Sequence, residues 1–235
     1  MRKLLFICLF LSTALHISAQ ESKNWRVEVE AGVSCSVLDA DVSNLQASSY
    51  KVRPGIVIGA SAERLLVEGL SVGVGIRFAQ RNYLFEKTKQ NAWNTLYTNN
   101  FIDIPLTVGY YLIHNPYKEK GIWLKPQVGV YYEYFTGMHT SGSYPIYVMQ
   151  GANEVPTYLK YKSSYDFSAN ENHLRRSLFG GEASIKMGYS LKRFDILVGY
   201  SYHYGFSHIY QDKAITTKTT RRHSMTMTAG VAYKF

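Results

Sequence analysis

The chain has 235 residues, 46% hydrophobic and 18% charged, with 26 Lys and Arg against 17 Asp and Glu, a formal net charge of +9. That length suits one domain, and after the N-terminal run no stretch reaches the ~20 consecutive apolar residues of a membrane helix. Of the two cysteines, Cys8 falls in the N-terminal run, so Cys35 has no internal disulfide partner.

Residues 1–19 read as a signal peptide. Arg2 and Lys3 form a basic start, Leu4 to Leu15 is nearly all apolar, and Ser18-Ala19 precedes the expected cut at Gln20. Residues 20–235 are then the folded domain. Without Arg2 and Lys3, 24 basic residues stand against 17 acidic ones. In an exported protein that surplus suits an anionic lipid surface better than nucleic acid.

Eight segments alternate apolar and polar side chains, the two-residue period of a β-strand. The first, Trp25 to Leu38, puts Trp25, Val27, Val29, Ala31 and Val33 on one face and Arg26, Glu28, Glu30 and Ser34 on the other. The second, Gly55 to Leu66, alternates less cleanly, because Val57 and Leu65 fall on the polar side. Val67-Glu68-Gly69 turns into the third, which carries Leu70, Val72, Val74, Ile76 and Phe78. The fourth is Phe101 to Leu112, with a bulge expected at Pro105, which cannot donate to a ladder. The fifth runs from Ile122 to Tyr134, the sixth from Phe179 to Leu191, and the seventh from Phe194 to Phe206. The last, His223 to Phe235, alternates Met225, Met227, Ala229, Val231, Tyr233 and Phe235 with small or polar residues.

Turns after even-numbered strands are short, and loops after odd-numbered strands are long, as in outer-membrane barrels. The 20 Tyr residues are the outstanding excess. Tyr132, Tyr134, Tyr202 and Tyr204 fall at one end of their strands, and Trp25, Tyr110, Tyr233 and Phe235 at the other, forming two aromatic girdles. A soluble sandwich or lipocalin-like barrel would bury the apolar face and would not sort aromatics to strand ends. The expected fold is therefore an all-β, eight-stranded antiparallel transmembrane barrel of the up-and-down, outer-membrane type. It has long extracellular loops and both termini in the periplasm.

At this point the chain resembles the PorT-like family of small outer-membrane β-barrels. The resemblance rests on the leader, on Phe101-Ile102-Asp103-Ile104-Pro105-Leu106, on Lys125-Pro126-Gln127-Val128-Gly129, and on Gly230-Val231-Ala232-Tyr233-Lys234-Phe235. It implies the same barrel fold; the family's founding member is linked to protein secretion, a role that fold-level resemblance does not itself transfer.

The polar face is unusually charged. Arg26, Arg77, Arg81, Lys125, Lys186 and Lys234 point inward, as do Glu28, Glu30, Glu63, Asp103, Glu133, Glu182 and Asp195. Eight strands enclose a space that side chains fill, so interlocked ion pairs are expected rather than a gated path. Asp103, Glu133 and Glu182 are the leading partners for Arg77, Lys125 and Lys186. No catalytic set, metal site or cofactor is expected. His139-Thr140-Ser141 resembles the His-x-Ser pairing of outer-membrane lipid A deacylases without an acid partner, and His203, His208 and His223, which could bind a metal, read instead as polar rim and loop residues. Lys160, Lys162, Arg175, Arg176, Lys213, Lys218, Arg221 and Arg222 make the loops basic and suit lipid phosphates. The loop from Thr136 to Ser177 contains two β-like runs, Tyr144 to Met149 and Pro156 to Lys162. Tyr144, Tyr147, Tyr158, Tyr161, Arg175 and Arg176 are its candidate interaction residues, since Tyr and Arg anchor protein interfaces.

The function these features favour is a non-enzymatic scaffold or accessory subunit. A rim hydrolase acting on lipid or peptide, or a small-solute pore, are the alternatives. Expected partners are outer-membrane lipid, including lipopolysaccharide, and other outer-membrane or periplasmic proteins.

Overall fold

The computed structural model describes residues 24–39, 48–87, 93–113, 115–117, 120–150, 153–169, 173–210 and 220–235. The expected signal peptide, together with Lys213 and Lys218, lies outside the described residues. Ten strands follow one another: β1 (Trp25–Asp39), β2 (Ser48–Val67), β3 (Leu70–Gln80), β4 (Tyr83–Lys87), β5 (Asn94–Tyr110), β6 (Gly121–Gln150), β7 (Asn153–Ser164), β8 (Ser177–Ser190), β9 (Phe194–Gly205) and β10 (Arg221–Lys234).

Eight of them pair in a closed antiparallel ring, in the order β1, β2, β3, β5, β6, β8, β9, β10. The β1–β10 ladder runs from Arg26↔Lys234 to Asp39↔Arg221 and closes the ring. Closure leaves no unpaired backbone edge within it, the condition for a sheet to sit in hydrocarbon. β4 continues β3 after a break at Arg81 and Asn82, pairing with the same two neighbours, β2 and β5. Two bonds bridge the break: the Arg81 amide donates to Asn99 O at 2.8 Å, and Asn82 Nδ2 donates to Pro54 O at 2.9 Å.

The strands outrun the segments that alternation picks out. β2 starts at Ser48 rather than Gly55, β5 at Asn94 rather than Phe101, and β6 continues to Gln150. A strand needs only ~9–11 tilted residues to cross hydrocarbon, whereas β6 has 30. Beyond the apolar belt polar and small residues such as Asn94, Thr98, His139, Ser141 and Ser143 break up the apolar outward row, so the periodic signal fades while the backbone ladder continues. The Thr136–Ser177 stretch is thus mainly a hairpin, with β7 pairing β6 from His139↔Ser164 to Gln150↔Asn153.

No register shift occurs at Pro105. It pairs in step with Tyr131, and its missing donor shows instead as a gap in the β3–β5 ladder, which pairs Val74 with Leu106 and resumes at Arg77 with Asp103. The β5–β6 shift lies instead between Asn100 and Phe101, with Thr136 the extra residue on β6. A second irregularity surrounds Pro54: Val57 pairs with Ala79 but Val52 with Tyr83, one residue out of step. At the tight turn, Gly69 takes φ 78°, a left-handed conformation that favours glycine, and packs against the Tyr110 ring.

The outer surface is apolar on every ring strand. Val29, Ile58, Ile76, Leu106, Val128, Met187, Val198 and Met227 are all exposed, while the residues beside them in sequence point inward. Soluble monomers rarely expose contiguous apolar patches beyond a few hundred Å². Lipid covers such a belt. Arg placed at mid-belt, as in Val198→Arg, is expected to cost about 2–4 kcal/mol of folding stability in liposomes, whereas Ser177→Arg near a strand end costs about 0–1 kcal/mol. Urea titration of the reconstituted protein measures both.

Candidate functional site

Three layers fill the ring. At the end that carries Trp25, Phe235 and the Gly69 turn, Trp123, Tyr111, Leu65, Leu197 and Ala232 form a buried apolar cluster, with Tyr117 packed against it. Trp123 fits because Gly188 lacks a side chain; a Cβ there would lie 2.6 Å from the indole. At the opposite end, Leu38, Tyr83, Phe101, Phe135, Met138, Leu174, Leu178 and Ile209 form a larger cluster. Phe101 and Phe135 stack there at 4.3 Å between centroids. Each such side chain contributes roughly 1.5–3 kcal/mol when fully buried.

Between the two lies the charge. Arg26 Nε sits 2.9 Å from Asp195 Oδ2 and its Nη1 3.2 Å from Glu28 Oε2. The guanidinium also lies over the Trp123 ring, 4.7 Å from its centroid. Lys234 Nζ reaches Asp195 Oδ1 at 2.9 Å and donates to Pro116 O at 2.8 Å. Glu63 accepts from Lys125, from Tyr111 OH at 2.5 Å and from Tyr117 OH at 3.1 Å. Lys186 bridges Glu28 and Glu30, the latter at 3.1 Å. Higher up, Arg77 Nη2 donates to Glu182 Oε2 at 2.6 Å. Arg81 forks to Asp103 Oδ2 at 2.7 Å and Glu133 Oε1 at 2.5 Å, and Glu133 also holds Arg222.

The expected partners are therefore partly corrected. Arg77 meets Glu182 and, at 3.8 Å, Asp103, but Lys125 takes Glu63 and Lys186 takes Glu28 and Glu30. The register gives the reason. Lys125 and Lys186 are direct cross-strand neighbours, whereas Glu182 pairs with Gly129, four positions further along β6. Each ammonium group reaches across the lumen, that of Lys125 to Glu63 on β2 and that of Lys186 to Glu28 and Glu30 on β1. Arg222, read from sequence as a loop charge, is a lumen residue, because β10 begins at Arg221 and extends the inward row Arg222, Ser224, Thr226, Thr228.

Counting Arg222, seven inward cations face seven inward carboxylates among the described residues. The void at mid-lumen is about 30 Å³. That is room for roughly two waters and not for a hydrated ion to pass.

The three histidines do not converge. His203 is buried in the lumen, its Nδ1 3.5 Å from Glu182 Oε2 and its ring edge-on to Tyr131. His223 is on the outer face, hydrogen-bonded to Tyr202 OH at 2.9 Å. Among the described residues no group of three His, Cys, Asp or Glu is placed to hold a metal. His139 Nδ1 lies 2.9 Å from Ser164 Oγ rather than near Ser141. Tyr110, Tyr202 and Phe235 are exposed on the outer wall, and Trp25, Tyr132, Tyr134, Tyr204 and Tyr233 are half-buried there.

The interaction candidates divide. Tyr144, Tyr147 and Tyr158 are exposed, as is Arg175. Tyr161 turns toward the interior side, its hydroxyl 2.6 Å from Thr95 Oγ1. Arg176 lies between the Tyr134 and Phe167 rings, 4.8 Å from each centroid. Tyr111, Tyr117 and Trp123, which seal one end, have no counterpart among the sequence-derived sites. The alternation of Trp123 with the outward Ile122 and Leu124 was the available signal.

The family described as outer membrane protein beta-barrel domain matches residues 18–211. The chain belongs to that family. It is similar in structure to the outer membrane protein OprG of Pseudomonas aeruginosa, at 10% identity over 92% of this chain and 98% of that one, with a TM-score of 0.48. A major outer membrane protein of Thermus thermophilus matches at 14% identity over 90% and 99%, with a TM-score of 0.46. Neisserial surface protein A matches at 15% identity over 91% and 98%, with a TM-score of 0.43. No curated protein matches in sequence.

The network makes single losses expensive. Glu133→Gln strips the carboxylate from Arg81 and Arg222 together and is expected to destabilise the folded barrel by about 3–5 kcal/mol. Adding Arg222→Gln restores part of that loss, because one unpaired cation is removed with it. Urea midpoints in a single detergent compare the three proteins.

Proposed function

We propose that this outer-membrane protein is a non-enzymatic scaffold or accessory subunit of an outer-membrane complex, with its lumen a fixed plug and its β6–β7 hairpin the interaction surface. The observation that carries this reading is the hairpin itself. It projects the sheet past the apolar belt and exposes Tyr147 and Met149 to the extent of 64% and 63%. Water-exposed aromatic and thioether side chains on an ordered hairpin are the material of protein contacts. β7 pairs with β6 alone among the described strands, so its other edge has backbone groups available to a partner strand.

The finer form of the reading is a PorT-like protein with a secretion- or assembly-related role. It is supported by the stretches that carry the resemblance. In one of them Ile102, Ile104 and Leu106 line the outer wall while Asp103 enters the ion-pair network. The leader at 1–19 and the even number of ring strands support an orientation with both termini in the periplasm and the hairpin outside the cell. The partners that fit are outer-membrane or periplasmic proteins and outer-membrane lipid, including lipopolysaccharide.

Replacing residues 141–162 by a two-residue turn is expected to leave heat-modifiable migration intact and to remove partners that co-purify in mild detergent. Retention of every partner contradicts the hairpin's role. The pore reading makes the opposite forecast from the plug: wild-type protein in planar bilayers is expected to give no stable conductance, and reproducible open-channel steps would favour a pore.

A further inference from the structure

Beyond the apolar belt, β2, β4, β5, β6 and β7 continue as a sheet whose inner face carries Tyr50, Tyr83 and Tyr97. Its outer face holds an open cleft of about 890 Å³. The register explains the shape. One cross-strand row runs Leu84, Leu96, Ser141, Lys162, and the next runs Glu86, Asn94, Ser143, Lys160. Small and aliphatic side chains form the floor. Lys160 and Lys162 rise from one wall and Arg53 from the other. These two walls lie four strands apart, roughly 19 Å at the usual spacing.

Three cations line this cleft and no carboxylate does, among the described residues. Lys51, beside it, is already paired with Glu86. Arg53, Lys160 and Lys162 are exposed and make no ion pair among the described residues. The contrast with the lumen, where each cation has its carboxylate, marks them as charges whose partner comes from outside. Directly toward the membrane, the same outward face continues into Ile56 and Ile58 on β2 and Ile102 and Ile104 on β5, all exposed. A molecule seated here meets cations at one end and an apolar wall at the other, the polarity of a phospholipid-type amphiphile at the rim of a bilayer.

We infer that this cleft binds the phosphorylated head group of an outer-leaflet lipid, with Arg53, Lys160 and Lys162 holding phosphate oxygens and the acyl chains lying along Ile56, Ile58, Ile102 and Ile104. The inference deepens the lipid part of the proposed function and rests on the orientation given there, since it needs this end of the barrel at the outer leaflet. Two cationic walls separated by an uncharged floor fit a head group with phosphates at two positions better than one with a single phosphate.

The test is native mass spectrometry of the full mature protein in mild detergent, titrated with diphosphoryl lipid A, monophosphoryl lipid A and inorganic phosphate. The wild type is expected to take one diphosphoryl lipid A, to bind the monophosphoryl form more weakly, and to keep its lipid in excess inorganic phosphate. The variant Arg53→Ser/Lys160→Ser/Lys162→Ser is expected to bind on the order of a hundredfold more weakly. Ser141→Trp keeps every charge and fills the floor, so it too is expected to lose the lipid; it decides the matter if the triple variant fails to fold. Unchanged binding in the folded variants would overturn the site, and displacement by inorganic phosphate would show a free-anion site instead. Binding in detergent does not depend on orientation. Failure of the orientation is read separately, from protease resistance of the β6–β7 hairpin on intact cells.

Discussion

A charged side chain inside a ring of backbone that is itself surrounded by lipid has little water to hold it. Desolvation costs several kcal/mol per ion, and only close, well-shaped partners offset it. This constraint shapes the interior of the protein. Arg26, Arg81 and Glu63 each serve two or more partners at once, so the charges form a mesh rather than a set of separate pairs. The mesh ties strands that are not neighbours: Lys186 on β8 reaches Glu28 and Glu30 on β1, across the ring. Backbone ladders close the ring, and the mesh fixes its cross-section.

The two apolar clusters follow from the same need. A mesh open to water at either end would exchange its partners for solvent and loosen. Tyr111, Tyr117 and Trp123 close the end near Trp25 and Phe235, and Tyr111 and Tyr117 also donate their hydroxyls to Glu63. The Phe101–Phe135 cluster closes the other, with Arg222 lying 4.1 Å from the centroid of the Phe101 ring. There an aromatic cavity of about 150 Å³ remains beneath the hairpin, lined in part by Tyr83, Tyr97 and Tyr210. With the interior committed to rigidity, interaction is left to the surfaces: the lipid wall, the outer cleft and the hairpin.

The alternation made the inward and outward faces legible in the sequence, from Trp25 through Val231, because period two needs no tertiary information. It also gave the ring its strand number. What it lacks is height. Which lumen groups meet depends on the stagger between strands, and a residue's place in the chain does not encode that. Lys125 and Glu182 share the lumen face on adjacent strands, yet the register places Lys186 opposite Lys125. Strand ends were blurred for a different reason. Asn94 to Asn100 and Thr136 to Ser143 are mostly polar or small on both faces once clear of lipid, with Leu96, Tyr97 and Met138 too few to show a period, so their β-structure is visible only in the ladder they form together. Arg222 was hidden by that blurring alone. The cleft was half-legible: Lys160 and Lys162 stood out as basic, but Arg53 joins them only through folding of the extended sheet.

If paired charge closes the lumen, solvent does not reach its middle. Ser201 lines the mid-lumen void and is buried. In a Cys35→Ser background, Ser201→Cys gives one thiol at that position, and a small cationic methanethiosulfonate reagent probes it. The folded, reconstituted protein is expected to stay unmodified over the time in which the urea-unfolded chain is fully labelled. Labelling of the folded barrel at a rate comparable to that of the unfolded chain would contradict closure by paired charge.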